Sequence, residues 1–217
     1  REYVDGSPVT MDVFLGGAWK TILVGGLNAG GRGFYALDVT DPANPLGMWE
    51  ICSDSTLCAI SDTDLGLSFG QPIITKRPSD GKWVVIVTSG YNNVSPGTGK
   101  GFLYVLDAAT GAVLSKVTTN VGDTATPSGF AKISGFSTNY SIDNTTTKVY
   151  GGDILGNVWR FDMSVVPPVA QRIAQLKDTG GKPQSVTTRP EITKFANGTI
   201  AVYVATGRYL DISDLQD

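Results

Sequence analysis

The sequence contains no histidine and only two cysteines in 217 residues. Without histidine it cannot form a Ser-His-Asp triad, a Cys-His dyad or a histidine-ligated metal centre. Two thiols cannot complete a four-thiolate zinc site. No uninterrupted apolar run is longer than six residues, whereas a membrane-spanning helix needs ~20. We therefore predict no membrane span in this segment.

Positive charge is also scarce. Seventeen Lys and Arg residues are outweighed by 20 Asp and Glu residues, which gives a formal net charge of −3. We expect no nucleic-acid partner, because phosphate binding requires a basic surface. Glycine is abundant instead. It accounts for 27 of the 217 residues, roughly 12 % against the usual ~7 %. Together with many Val, Thr, Ile and Tyr residues in short segments, this composition favours an all-β fold.

A repeated segment organises the chain. A glycine is followed by an apolar, aromatic-rich strand and then by an aspartate, and the copies lie at residues 33–38, 101–107 and 156–162. Each aspartate follows a proline by 30, 35 and 35 residues, and these prolines are Pro8, Pro72 and Pro127. Pro190 begins a fourth copy. The repeat predicts a fold built from successive similar units.

Each unit contains about four short strands, and its proline recurs every 55 to 64 residues. This spacing is typical of propeller blades. We predict an all-β fold, a partial β-propeller of about three and a half four-stranded antiparallel blades, at residues 4–52, 66–120, 124–178 and 187–217, the last incomplete. The first strand of the third blade is predicted at residues 128–134. Closed propellers have roughly four to eight blades, so we expect further blades elsewhere in a longer protein.

Several acidic residues are predicted to be structural. Asp38, Asp107 and Asp162 close the repeated strands, where a carboxylate can accept hydrogen bonds from the amides of the following turn. Asp62 and Asp64 are interpreted as a solvated turn. Alternate residues on a loop have no reason to converge as a catalytic carboxylate pair.

Six segments closely resemble one family along the whole chain. They are VDGSP at residues 4–8, WKTILVGGL at 19–27, GGRGFYALDVTDP at 30–42, DLG with SFGQP at 64–72, YGGDILGNVWRFD at 150–162 and ATGRYL at 205–210. These segments resemble the C-terminal propeller of PilY/PilC-type type IV pilus tip proteins. In that family the propeller is one domain of a large, non-enzymatic envelope protein that supports pilus assembly, opposes retraction and contributes to surface attachment.

The resemblance implies a location and partners. It implies the bacterial cell surface or pilus tip, reached by export through the periplasm. The implied partners are the remaining blades and the N-terminal region of the same protein, minor pilins, and a host or abiotic surface. In such an oxidising compartment Cys52 and Cys58, in one turn-rich loop, are expected to form a disulfide. A two-thiol metal site or a redox switch is the alternative, and it requires a reducing compartment.

The resemblance also implies a calcium loop at residues 139–147. In the family, alternate side chains of this loop, mostly carboxylates, bind Ca²⁺, and the corresponding residues here are Asn139, Ser141, Asp143, Thr145 and Thr147. Each presents an oxygen, but only Asp143 is charged, and Lys148 follows the loop. We therefore expect weak calcium binding or an ordinary polar hairpin, since affinity depends on ligand charge. No other cofactor is predicted.

Two alternative functions remain open at this point. Residues 106–114 resemble the blade repeat of quinoprotein dehydrogenases, which suggests an enzyme of that type. A propeller that binds carbohydrate is the second alternative. The glycine-rich segments 25–33 and 97–101 lack the G-x-x-x-x-G-K-[ST] pattern and a following helix, so they are interpreted as hairpin loops rather than phosphate-binding loops.

Overall fold

A computed structural model describes residues 3–138, 140, 142–210 and 212–216. Its strands form three sheets of four or five strands and one sheet of two strands. In each sheet, strands that follow one another in sequence are hydrogen-bonded neighbours. The arrangement is that of consecutive propeller blades, as the repeat predicts.

The first blade contains the strands β1 (Val9–Leu15), β2 (Ala18–Gly26), β3 (Gly33–Asp38), β4 (Leu46–Cys52) and β5 (Ile60–Ser61). The first four pair antiparallel, and the short β5 pairs parallel with β4. Strand β5 was not predicted, since two residues are too short to show a periodic pattern.

The other blades have the same strand order. Blade 2 contains β6 (Ile73–Lys76), β7 (Trp83–Thr88), β8 (Phe102–Asp107) and β9 (Val113–Thr118). Blade 3 contains β10 (Ile133–Ser137), β11 (Thr146–Gly152), β12 (Asn157–Asp162) and β13 (Val169–Gln175). Blade 4 consists of β14 (Glu191–Lys194) and β15 (Ile200–Tyr203), followed by a 3₁₀ helix at Ile212–Gln216.

The first strand of blade 3 differs from the prediction. It begins at Ile133, not at residue 128. Thr126 belongs to a tight turn in which its amide donates to the Asp123 carboxylate, 2.7 Å away. The Ser128 amide then donates to the Gly99 carbonyl at 2.7 Å. Residues 126–128 therefore connect two blades, and Pro127 is not equivalent to the prolines that precede β1 and β6.

The core lies between the blades. Val85 and Val87 of β7 are buried against blade 1 in one apolar cluster. Val84 and Ile86 point the opposite way, into a second cluster shared with blade 3. Because successive side chains of a strand alternate between its two faces, one apolar strand contributes to both interfaces.

Candidate functional site

The loop between β10 and β11 is attached to blade 2. The Asn144 carbonyl accepts hydrogen bonds from the Lys76 amide at 2.9 Å and from the Thr75 hydroxyl at 2.7 Å. Within the loop, the Ser137 hydroxyl donates to the Asp143 carbonyl at 2.9 Å. Neighbouring blades are thus tied together through the segment that was predicted to bind calcium.

Two of the five predicted calcium ligands, Asn139 and Ser141, lie outside the described residues. Asp143 forms an ion pair with Lys76. Hydrogen bonds from Lys76 and then from Thr145 lower the pKa of the Asp143 carboxyl. The Thr147 hydroxyl donates to the Phe136 carbonyl at 3.3 Å.

The described part of this loop does not fit a high-affinity calcium site. Its one carboxylate is already paired with a lysine, and the hydroxyls of Thr145 and Thr147 already form hydrogen bonds within the protein. Among the described residues no group of three or more His, Cys, Asp or Glu side chains could hold a metal ion.

We expect calorimetric titration with CaCl₂ to give a dissociation constant near 1 mM or weaker, at the weak end of the range of protein sites. Calcium would have to compete with the Lys76 ammonium for the only charged ligand of the loop. Asp143→Ala is expected to abolish any heat of binding. Micromolar affinity in the wild-type chain would contradict this prediction.

A second polar cluster brings together residues that were interpreted as a solvated turn. The Lys116 ammonium of β9 lies 2.8 Å from Asp62 Oδ1 and 2.7 Å from Asp64 Oδ2. The other Asp64 oxygen accepts hydrogen bonds from the Thr98 amide at 2.7 Å and from its hydroxyl at 2.6 Å. The solvated-turn interpretation was therefore wrong, because Asp62 and Asp64 converge on one lysine.

The surroundings of this cluster define its electrostatics. The Lys116 ammonium lies 4.3 Å from the centre of the Phe102 ring, within cation–π range. Burial would raise the pKa of Asp64, but hydrogen bonds from Lys116 and Thr98 outweigh that effect and leave it below its usual value. Burial, reinforced by the two aspartate charges, raises the pKa of the Tyr104 hydroxyl well above its ordinary range. The groups form a stabilised ion-pair network.

Acidification below about pH 4 is expected to destabilise the protein. A hydrogen bond from Lys20 lowers the pKa of Asp38 to about 2. A hydrogen bond from Arg77 likewise lowers the pKa of Asp80 to about 2. A carboxylate whose pKa is lowered by folding stabilises the fold above its unfolded pKa, and this contribution is lost as the pH falls through the folded pKa. Urea unfolding at a series of pH values should show the loss between about pH 4 and pH 2.

Lys116→Met should lower the free energy of unfolding at neutral pH and make this loss on acidification smaller, because a carboxyl whose pKa is raised by folding destabilises the fold when charged and stops doing so as the pH falls. Without the ammonium, burial dominates and the folded pKa of Asp64 rises. Lys194→Met is the matched control, because Lys194 is exposed and forms no ion pair with any described residue. Identical pH profiles for the two variants would contradict the role assigned to Lys116.

A polar cleft of about 800 Å³ adjoins this cluster and the cysteine loop. Cys52 and Cys58 form a disulfide with a Cα–Cα distance of 5.9 Å, which confirms the predicted pairing. Asp54 within the loop accepts a hydrogen bond from the Thr56 amide at 2.8 Å. In a loop this short, the cross-link adds about 2 kcal/mol to the free energy of unfolding, because it restricts the conformations of the unfolded chain.

The repeated aspartates sit in similar turns. Asp38 Oδ1 accepts from the Thr40 amide at 3.0 Å. Asp107 Oδ1 accepts from the Ala109 and Thr110 amides, both at 3.0 Å. Asp162 Oδ1 accepts from the Ser164 amide at 2.9 Å. Each carboxylate satisfies amides that a strand-ending turn leaves without sheet partners.

The blades and their turns define the chain as part of a β-propeller domain. The family model described as PilY1 beta-propeller domain matches residues 1–172. The chain belongs to this family, which confirms the resemblance found in the sequence. Among the described residues, no helix has the length and apolar character to cross a membrane.

Individual relatives agree with this assignment. The type IV pilus biogenesis factor PilY1 of Pseudomonas aeruginosa strain PAO1 is 35% identical over 98% of this chain, which covers 19% of that protein. A PilY1 homolog of Xylella fastidiosa is 31% identical over 98% of this chain, covering 15% of that protein. The chain therefore spans about a fifth or less of these relatives.

Solved structures support the fold. The crystal structure of the Pseudomonas aeruginosa PilY1 C-terminal domain matches 98% of this chain and 45% of its own, with 34% identity and a TM-score of 0.82. The rhamnogalacturonan lyase YesW matches with a TM-score of 0.52 at 11% identity. At that identity the second likeness concerns the fold alone.

Proposed function

We propose that the chain is a non-enzymatic scaffold in type IV pilus assembly, located at the pilus tip, where it also contributes to adhesion. The observation that carries the proposal is the 35% identity over 98% of the chain to a protein named for pilus biogenesis. No contact among the described residues favours the quinoprotein-like enzyme or the carbohydrate-binding module.

The proposed location is the cell surface, reached through the periplasm. The Cys52–Cys58 disulfide supports it, because structural disulfides form and persist in oxidising compartments such as the periplasm.

The proposed partners begin with the same protein. Phe195 and Tyr203 of blade 4 are 49% and 58% exposed, and further blades would cover such surface. The N-terminal region, minor pilins, and a host or abiotic surface complete the set of partners.

A genetic complementation experiment tests the proposal. The gene that contains this segment is deleted in its host bacterium, then restored intact or without residues 1–217. We expect the truncated gene to yield few surface pili by electron microscopy and poor attachment, while the intact gene restores both. Normal piliation with the truncated gene would contradict the assembly role, and normal attachment per pilus would contradict the adhesive role.

A second genetic background separates assembly from retraction. In cells that also lack the retraction motor, a scaffold that only opposes retraction would no longer be needed for pili to appear. Immunogold labelling of residues 1–217 tests the location directly. Label along the pilus shaft, rather than at its ends, would contradict placement at the tip.

A further inference from the structure

Four consecutive blades each bring a polar residue from the start of their first strand to a common cavity. Ser7, Gln71 and Arg189 lie two residues before β1, β6 and β14, and Lys132 lies immediately before β10. All four line a cavity of about 310 Å³. Because all four residues directly precede the first strand of a blade, the cavity lies where the first strands of successive blades begin.

Close backbone contacts between the blades build this cavity. A Cβ atom on Gly26 would lie 2.5 Å from the Ser68 carbonyl oxygen, and one on Gly70 would lie 2.2 Å from that of Ala131. Real Cβ atoms do not approach an oxygen so closely, so only glycine permits this approach. The two contacts join blade 1 to the start of blade 2, and blade 2 to the start of blade 3.

The cavity is positively charged in a protein of net negative charge. Lys132 and Arg189 line it, and none of its lining residues is Asp or Glu. In the described part of the chain neither cation forms an ion pair. A cavity lined by two cations and no carboxylate favours an anionic ligand.

The Arg189 side chain is held in place for binding. Its Nε donates to Ser134 Oγ at 2.9 Å, and Nη1 donates to Gln71 Oε1 at 3.4 Å. Ser134 in turn donates to the Pro190 carbonyl at 2.5 Å, which fixes the acceptor. A guanidinium fixed in this way loses little rotational freedom when it binds a carboxylate.

We propose that this cavity is a binding site for a small organic dicarboxylate. The Arg189 guanidinium pairs with one carboxylate through its planar fork, and the Lys132 ammonium pairs with the other. The Ser7 hydroxyl and the Gln71 amide nitrogen supply uncharged donors at the rim. The site is independent of the calcium loop and of the proposed pilus function.

Calorimetric titration with malonate at low ionic strength tests the proposal. We expect measurable binding to the wild-type chain and affinity at least about 10-fold weaker for Arg189→Gln and for Lys132→Gln, since a charge-assisted hydrogen bond is lost in each. Acetate, with one carboxylate, should bind more weakly than malonate. Lys194→Gln removes the same charge outside the cavity and should leave the affinity unchanged within twofold.

Several outcomes would overturn the proposal. They are absence of malonate binding, equal weakening by Lys194→Gln, and tighter binding of inorganic phosphate than of malonate. Lys132→Gln keeps the test meaningful if Arg189→Gln fails to fold, because the Lys132 side chain makes no hydrogen bond with any described residue. Circular dichroism of each variant verifies its fold.

Discussion

Replacing Asp153 by alanine is expected to lower the free energy of unfolding by roughly 3–5 kcal/mol, because several buried hydrogen-bond donors lose their acceptor at once. The Asp153 side chain is fully buried. Its Oδ1 accepts from the Leu155 amide at 3.0 Å and from the Asn157 amide at 2.9 Å. Its Oδ2 accepts from Trp159 Nε1 at 2.9 Å. Alanine would leave these donors buried without partners, and each unmet donor is costly.

Urea unfolding, followed by tryptophan fluorescence, measures this effect. Asp162→Ala is a matched control, because Asp162 closes the adjacent strand and its Oδ1 accepts from the Ser164 amide at a more exposed turn. We expect the control to cost no more than about 1 kcal/mol. Equal losses of unfolding free energy for the two variants would contradict the stabilising role assigned to the Asp153 hydrogen bonds. Burial raises the pKa of Asp153 despite the hydrogen bonds from Trp159 and Asn157, which is consistent with a carboxyl deep in the blade.

Trp49→Ala is expected to destabilise the protein by about 3–5 kcal/mol, the usual cost of truncating a buried tryptophan. Trp49 is 8% exposed and belongs to the core shared by blades 1 and 2. Its Nε1 donates to the Ala108 carbonyl of blade 2 at 2.9 Å. A Cβ on Gly111 would lie 2.7 Å from the indole ring, so the ring rests directly on this glycine. The side chain therefore fastens one blade to the next.

Two further variants separate the packing of Trp49 from its hydrogen bond and from the general effect of removing a tryptophan. Trp49→Phe keeps most of the apolar contact and loses the hydrogen bond, so it should cost less than Trp49→Ala. Trp19 is 65% exposed, and Trp19→Ala should change stability by no more than about 0.5 kcal/mol. Hydrogen exchange is expected to accelerate at the boundary between blades 1 and 2 in Trp49→Ala. If exchange accelerated only within blade 1, the bridging role would be wrong.

Local patterns predicted the strands well. The repeated segments predicted at residues 33–38, 101–107 and 156–162 form β3 (Gly33–Asp38), β8 (Phe102–Asp107) and β12 (Asn157–Asp162) in the observed fold. These segments end at glycines or aspartates whose turn chemistry depends on adjacent residues alone. Where a proline did not begin a strand, as at Pro127, the prediction failed. The decisive contact there is a backbone hydrogen bond from Ser128 to the distant Gly99.

The sequence by itself determined the repeated blade and the family, because period-two apolar segments and strand-ending turns are local. The tertiary structure decided which side chains meet. Lys116 reaches Asp62 and Asp64 across 54 and 52 residues, and Lys76 reaches Asp143 from a neighbouring blade. Such contacts depend on how successive blades are rotated and packed. That rotation is set by the shared cores and close glycine contacts between blades, which no segment encodes alone.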